Sequence, residues 1–288
     1  MYASVIPRGT AWRRLGVVQA TVLMAHLISV AELQSLMLQR FSYHNLEDTL
    51  FFECSHFRDP DKAQKEYDKS HIRGFAFIHL INDLSEPGYT RPSNRNDIAR
   101  RLGKLGIRDT SQKIVLCSRY IGDGNLEHDK KITLQKRVAR GMMTATRAWW
   151  VLRSWGFNNL HILDGGVDVY IKYKNRIQMS SNVDKYPAAN FDLTSLVDNS
   201  QLKATTEDVL HAIKDTDTTI LDTLPGWPNT AGKYLMRAGR KESGGHIATA
   251  VHQECFSLVG DDGLFLPKKT LVKSFRNSFD INKPLVAY

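Results

Sequence analysis

An order of short elements that runs once and then starts again is what most constrains this chain. Apolar runs alternate with helical patterns from residue 27 to 178, and the alternation resumes after residue 204. Strands that alternate with helices need crossover connections, which favour a largely parallel sheet with helices on its faces. Asp109-Thr110-Ser111-Gln112-Lys113-Ile114-Val115-Leu116 in the first half lies beside Asp280-Ile281-Asn282-Lys283-Pro284-Leu285-Val286-Ala287 in the second. His71-Ile72 lies beside His246-Ile247 in the same way. A two-copy repeat of this size means a duplicated domain. The expectation is two α/β domains of one kind, at 27–178 and 204–288, joined by a polar linker at 179–203.

In the first half, Ser29 is a candidate N-cap for a helix over Val30–Leu38. Strands are expected at Leu50–Phe52, Phe75–Leu80, Lys113–Leu116 and Leu160–Leu163. Helices are expected around Ala63–Tyr67, over Ile98–Leu105 up to Gly106, and over Thr144–Trp155 up to Gly156, with a loop from Pro87 to Asn96. Asp164-Gly165-Gly166 reads as a turn that glycines permit and Asp164 caps. In the second half, helices are expected over Thr206–Ile213 and Leu271–Phe279. Strands are expected over Thr219–Leu221, from His246-Ile247, and over Lys283–Tyr288, with a long loop at Pro225–Ser243.

Several functions are disfavoured at this level. No run of 18 apolar residues is present, so no membrane-spanning helix is expected. Three cysteines in 288 residues do not make a disulfide scaffold, and no C-x-x-C or H-x-x-x-H pair supports a zinc site. Neither a G-x-x-x-x-G-K-[ST] loop nor a strand-borne G-x-G-x-x-G supports a nucleotide enzyme. The net charge of +9 is concentrated in two places: +3 in residues 1–31, which hold Arg8, Arg13 and Arg14 and no acid, and +3 in 118–140. Aromatic residues do not interleave with either cluster, so no nucleic-acid partner is expected. Residues 1–26 form an N-terminal extension. A mitochondrial transit peptide, a secretory signal and a featureless tail all remain open for it, and the compartment expected is mitochondrial or cytoplasmic.

The ordered motifs resemble one family. They are His71-Ile72-x-Gly74, Pro92-Ser93, Leu105-Gly106-Ile107, Arg147-Ala148-Trp149-Trp150, Trp155-Gly156-Phe157 and Leu163-Asp164-Gly165-Gly166. In the second half come Leu221-Asp222, Gly245-His246-Ile247 and Asp280 through Ala287. The set resembles the tandem-domain rhodaneses and 3-mercaptopyruvate sulfurtransferases across most of residues 27–288. The resemblance implies two rhodanese-like domains, each a mostly parallel sheet flanked by helices, the second incomplete. It also implies thiosulfate or 3-mercaptopyruvate as donors, and a cysteine persulfide that passes sulfur to cyanide or a thiol. The partners implied are thus small sulfur-containing anions and thiol acceptors. No cofactor or metal is implied.

The departures fall mainly in the second half. The family's catalytic cysteine would follow Tyr288, and its loop is not in this sequence, so the second domain reads as truncated. Where the family places an anion-holding arginine, Asp222-Thr223-Leu224 has leucine, which cannot bind an anion. His246-Ile247-Ala248-Thr249-Ala250 has lost the family's glycine. In the first half, Cys117 stands where the family usually has aspartate, at the position matching the other half's catalytic cysteine. Gly141 follows it by 24 residues rather than the family's five, which makes 118–140 an inserted loop. Cys117 is therefore either a relocated sulfur carrier with a basic rim or a small core residue. Asp123, six residues after Cys117, excludes a C-x5-R phosphatase. Cys54 and Cys255 read as core or surface thiols. His71, Gly74, Arg147, Trp149, Trp150, Asp164, Gly165, Gly166, Asp222 and His246 read as structural motif residues, with Arg147 expected in an ion pair. Two other classes stay open: a non-catalytic rhodanese-fold binding or regulatory module, and a truncated product without stable function.

Overall fold

The computed structural model describes residues 4–5, 26–43, 48–55, 60–87, 91–122, 132–173, 178–215, 217–223 and 246–287. They divide into two compact units: residues 26–199 with 259–265, and residues 1–25, 200–258 and 266–288. The first element in the chain, β1 (Ser4–Val5), belongs to the second-half unit.

The first-half unit is a five-stranded sheet in the order β2-β7-β6-β3-β5, parallel throughout. Its strands are β2 (Leu27–Ile28), β3 (Thr49–Glu53), β5 (Ala76–Phe77), β6 (Lys113–Cys117) and β7 (Leu160–Leu163). A separate pair joins β4 (His71–Ile72) antiparallel to β8 (Met179–Ser180). Every residue of β3 is buried, because a central strand with helices on both faces has no solvent side. β3 and β6 run in step, Leu50 beside Ile114 and Glu53 beside Cys117.

The helices are α1 (Val30–Tyr43), α2 (Pro60–Lys69), α3 (Leu80–Leu84), α4 (Arg95–Lys104), α5 (Leu134–Ser154) and α6 (Gly166–Tyr170). The expected Ser29 cap is present: Ser29 Oγ accepts from Glu32 N–H at 3.2 Å, and Ser29 N–H donates back to Glu32 Oε2 at 2.7 Å. α4 begins inside the expected 87–96 loop, because Asn94 caps the amides of Asn96 and Asp97. Leu80, expected at the end of a strand, instead opens α3.

Several expectations are corrected by the structure. Residues 134–140 of the predicted inserted loop are helix: Thr133 caps α5, and Val138, Ala139 and Met142 are buried one turn apart. Their helical spacing was masked by the surrounding lysines and arginines. Residues 123–131 of that loop lie outside the described residues.

The predicted linker at 179–203 is not a linker over most of its length, since residues 179–199 form a strap across the first-half unit. Asp184 Oδ2 accepts from Gly74 N–H at 2.7 Å, and the Tyr186 hydroxyl accepts from Phe51 N–H at 2.9 Å. Further on, Ala189 N–H donates to Gly103 O, Val197 N–H to Trp155 O, and Asp198 takes the buried Arg91 guanidinium at 2.6 Å. The strap looked like a linker because single polar anchors carry no periodicity.

The second-half unit holds a four-stranded sheet, β1-β11-β9-β10, with β10 (Val251–His252) and β11 (Leu285–Ala287) parallel to β9 (Thr219–Asp222). β1 pairs antiparallel with β11. α7 (Thr206–Lys214) opens on a capping box between Thr205 and Asp208, and α8 (Lys268–Ser278) precedes β11. The core is small, with Ala204, Ala212, Ile220 and Val286 backed by Val209, Ile213, Ile247 and Ala250. The predicted second domain of 204–288 is also corrected, since Val259–Phe265 packs with the first-half unit: Gln135 Nε2 donates to Val259 O at 2.6 Å.

The strand expected from His246 begins at Val251 instead, after a turn at Ala248-Thr249. Thr249 adopts φ +64, where the repeat partner Gly74 adopts φ +86. A β-branched residue in the left-handed region is strained by about 1–2 kcal/mol. Thr249→Gly is therefore expected to raise the denaturant midpoint by about 1 kcal/mol of stability, less than the strain because glycine also loosens the unfolded chain. A lowered midpoint would show that the threonine side chain makes a compensating contact.

Candidate functional site

Parallel α/β sheets present their chemistry at the carboxyl ends of the strands. In the first-half unit these ends are Glu53, Phe77, Cys117 and Leu163. Glu53 ends a strand of otherwise apolar or hydroxyl side chains and is fully buried. It is held by Arg119, whose Nε and Nη2 each donate to a carboxylate oxygen at 2.6 Å, and by Ser55 Oγ at 2.8 Å. Burial alone would depress the Arg119 guanidinium, but the hydrogen bonds and charge of Glu53 outweigh it and the net shift is upward.

The rest of the loop after Cys117 is tied down in the same way. Arg119 N–H donates to Ser55 Oγ at 3.0 Å, and Tyr120 N–H to Asp168 Oδ2 at 2.8 Å. Ser118 Oγ donates to Gly141 O, Ser118 O accepts from Val167 N–H, and Gly122 O accepts from Lys62 Nζ. An anion cradle needs backbone N–H groups aimed at open space beside the nucleophile. Here the amides of Arg119 and Tyr120 already have protein oxygen partners.

Cys117 itself is fully buried, in a cluster with Val115, Leu163, Val167, Phe51 and Tyr170. Burial pushes its thiol well above the ordinary range, and the charges of Glu53 and Cys54 push it further. Cys54 is equally buried, donates its thiol to Cys117 O at 3.2 Å, and is raised by burial in the same way. Cys255 is partly exposed and raised to about 11, first by burial and then by Glu254. The basic rim expected around Cys117 is partly committed inward, since Arg119 points at Glu53 and Arg137 lies 3.7 Å from Asp168.

The remaining motif residues hold local structure. His71 is fully buried, with Nδ1 on Tyr67 O at 2.9 Å, Nε2 on Asp184 at 3.2 Å, and its ring stacked on Tyr67 at 3.9 Å. Arg147 stacks over Trp150 at 4.8 Å, and Trp149 meets the edge of His26 at 5.4 Å. Gly165 and Gly166 take φ +77 and +57, as the Asp164-Gly165-Gly166 turn requires. Asp222 is fully buried at the end of β9, with His252 as its neighbour in register on β10. His246 bonds its own neighbour's carbonyl, Ile247 O, at 2.9 Å. Leu224 and the loop at Pro225–Ser243 lie outside the described residues. Sequence reading missed Glu53, Ser55, Arg119 and Asp168; the available signal was a glutamate closing the apolar run Leu50–Phe52.

Asp164 accepts from Phe265 N–H at 2.9 Å. Burial raises its carboxyl to about 6 from an ordinary 3.8; the Phe265 amide opposes this and the Asp262 charge adds to it. The folded state thus holds this proton more tightly than the unfolded state, and stability rises as pH falls from about 6 toward 4. Asp164→Asn is expected to be more stable than the parent at pH 7 and to show a shallower pH dependence of the denaturant midpoint between 4 and 6. An unchanged slope would place the titration elsewhere.

No family model matches the chain. Individual relatives do match. The rat 3-mercaptopyruvate sulfurtransferase is 23% identical over 231 residues, covering 78% of this chain and 68% of that protein. The thiosulfate sulfurtransferases of Cricetulus griseus and Bos taurus are 25% and 24% identical over 233 residues, covering 78% of this chain and 69% of each. The chain is similar over most of its length to 3-mercaptopyruvate and thiosulfate sulfurtransferases. Solved structures agree at the level of fold. SseA of Escherichia coli, described as a 3-mercaptopyruvate sulfotransferase with a rhodanese fold, aligns with TM-score 0.65 at 19% identity, over 90% of this chain and 86% of that one. Wild-type EanB aligns with TM-score 0.71 at 14% identity over 92% of this chain, which spans only 60% of EanB.

In rhodanese terms, both units carry the expected mixed α/β architecture with mostly parallel strands. Among the described residues no group of three or more His, Cys, Asp or Glu could hold a metal ion, and no helix is long and apolar enough to cross a membrane.

Proposed function

We propose that this chain is a rhodanese-type scaffold built for sulfur transfer from thiosulfate or 3-mercaptopyruvate, and that residues 1–288 alone lack the thiol that carries the sulfur. The carrying step in this chemistry is attack by a thiolate on donor sulfur, which breaks that sulfur's bond to the donor and expels sulfite from thiosulfate or pyruvate, as its enolate, from 3-mercaptopyruvate; the persulfide formed then passes its outer sulfur to cyanide or a thiol and the thiolate is restored. The observation behind the second half of the proposal is the state of the three thiols. Cys54 and Cys117 are fully buried, and all three are raised by burial. At pH 7, a thiol raised to about 11 is ionised in roughly one molecule in ten thousand.

In this reading the first-half domain supports the fold, and the Arg119 guanidinium is already taken up by the buried Glu53 carboxylate. Small sulfur-containing anions and thiol acceptors are the partners proposed, with a mitochondrial or cytoplasmic setting suggested by the acid-free Arg8, Arg13 and Arg14 segment. Purified residues 1–288 are expected to form no thiocyanate from thiosulfate and cyanide, and no pyruvate from 3-mercaptopyruvate. Turnover that disappears in Cys117→Ala or Cys255→Ala would overturn the proposal. A second reading, a non-catalytic binding module, is favoured by the carboxylate built into the first-half site.

A further inference from the structure

The two sheets are built on one register, and that register shows what belongs beside β11. Leu50, Phe51 and Phe52 of β3 stand beside Ile114, Val115 and Leu116 of β6. Thr219, Ile220 and Leu221 of β9 stand beside Leu285, Val286 and Ala287 of β11 in the same way. On the other side, β5 pairs Ala76 with Phe52 and Phe77 with Glu53, as β10 pairs Val251 with Leu221 and His252 with Asp222. β11 is therefore the counterpart of β6 residue by residue, and its far edge is the counterpart of the β6 edge that carries β7.

The occupants of the two edges differ. β7 runs parallel to β6, with Leu160, His161 and Ile162 beside Ile114, Val115 and Leu116. β1 runs antiparallel to β11, with Val5 beside Val286 and Ser4 beside Ala287. Ser4 thus holds the register place of Ile162, and Val5 that of His161. Beside β7, Ile114, Val115 and Leu116 are all fully buried. Beside β1, Val286 is buried but Leu285 and Ala287 are partly exposed. A two-residue strand closes this edge less completely than the four-residue β7 closes its own.

An open strand edge offers unpaired N–H and C=O groups to any extended chain that reaches it. Such pairing takes its affinity from main-chain hydrogen bonds and its selectivity from alternate side chains. The pattern this edge selects is that of β7, where Leu160, Ile162 and Leu163 are buried and His161 is partly exposed. We infer that β1 is a plug: Ser4–Val5 occupies, in cis, a strand-docking edge shaped for an extended apolar segment that runs parallel to β11. β1 and such a segment compete for the same backbone groups of β11. Displacing β1 therefore opens the site and leaves β9 and β10 paired as they are.

The probe is a labelled peptide with the β7 sequence, residues 158–165, and its control carries His161→Pro and Leu163→Pro. In the full chain, Ser4→Pro/Val5→Pro is expected to speed amide exchange across Val286–Ala287 by at least about tenfold, because proline has no N–H to donate to the edge. Exchange at Ile220 on β9 is expected to stay slow, which separates an opened edge from an unfolded unit. By fluorescence anisotropy the β7 peptide is expected to bind this variant at least about tenfold more tightly than the parent, and to restore slow exchange on β11. The proline peptide is expected to bind neither. Ser4→Thr/Val5→Ile keeps the strand and is expected to match the parent in both measurements. Unchanged exchange on β11 in the proline variant would overturn the inference, as would equal peptide affinity for variant and parent, or no binding to either. Fast exchange at Ile220 would overturn it too, since β1 would then be part of the core rather than a plug. Self-association of the proline variant that the peptide does not reverse would contradict it as well.

Discussion

Glu53→Ala is expected to destabilise the chain by about 3–5 kcal/mol, the cost of leaving a buried charge without its partner. Glu53 is fully buried and the Arg119 side chain is 15% exposed, so water does little to replace the lost carboxylate. Ser55 Oγ loses its acceptor in the same step. Glu53→Leu combined with Arg119→Met removes both charges and keeps volume in place. That double variant is expected to recover at least about 2 kcal/mol relative to Glu53→Ala, because replacing a whole buried pair by apolar groups is often near neutral. Denaturant titration of the two variants measures both values. A double variant no better than the single one would mean that the pair is worth more than its desolvation.

Gly166→Ala is the second large effect. A Cβ on Gly166 would stand 2.3 Å from Ser118 O, a backbone atom that accepts the Val167 amide and anchors the loop after Cys117. The residue also holds φ +57, so alanine meets both a clash and an unfavourable backbone. The expected loss is about 2–4 kcal/mol, with faster amide exchange at Arg119 and Tyr120 as the loop lifts from Ser55 and Asp168. A loss below about 1 kcal/mol would mean that the loop moves aside freely and is not tied as described.

The parts of the fold that the sequence made legible are those where a period or a backbone requirement repeats. β7 matches its expected span Leu160–Leu163, and β6 adds only Cys117 to the expected one. The Asp164-Gly165-Gly166 turn is legible because two left-handed residues in succession call for glycine. The strap was illegible because its attachment rests on Asp184, Tyr186 and Asp198, which leave no pattern in the sequence. The first turns of α5 were illegible because their buried Val138 and Ala139 are flanked by Lys136, Arg137 and Arg140. The direction in which Cys117 points could not be read either, since a strand such as Lys113–Cys117, buried on both faces, gives no alternation to distinguish core from site. Glu53 and Arg119 lie far apart in sequence and meet only because β3 and β6 are neighbours in register.

The most direct test treats purified residues 1–288 with thiosulfate and separately with 3-mercaptopyruvate, alkylates the product, and maps all three cysteines by peptide mass. The account predicts that Cys54, Cys117 and Cys255 gain no sulfur atom under native conditions. A persulfide on Cys117 at a stoichiometry near one per chain would contradict it, and would show that the tied loop opens to make the first half a working site.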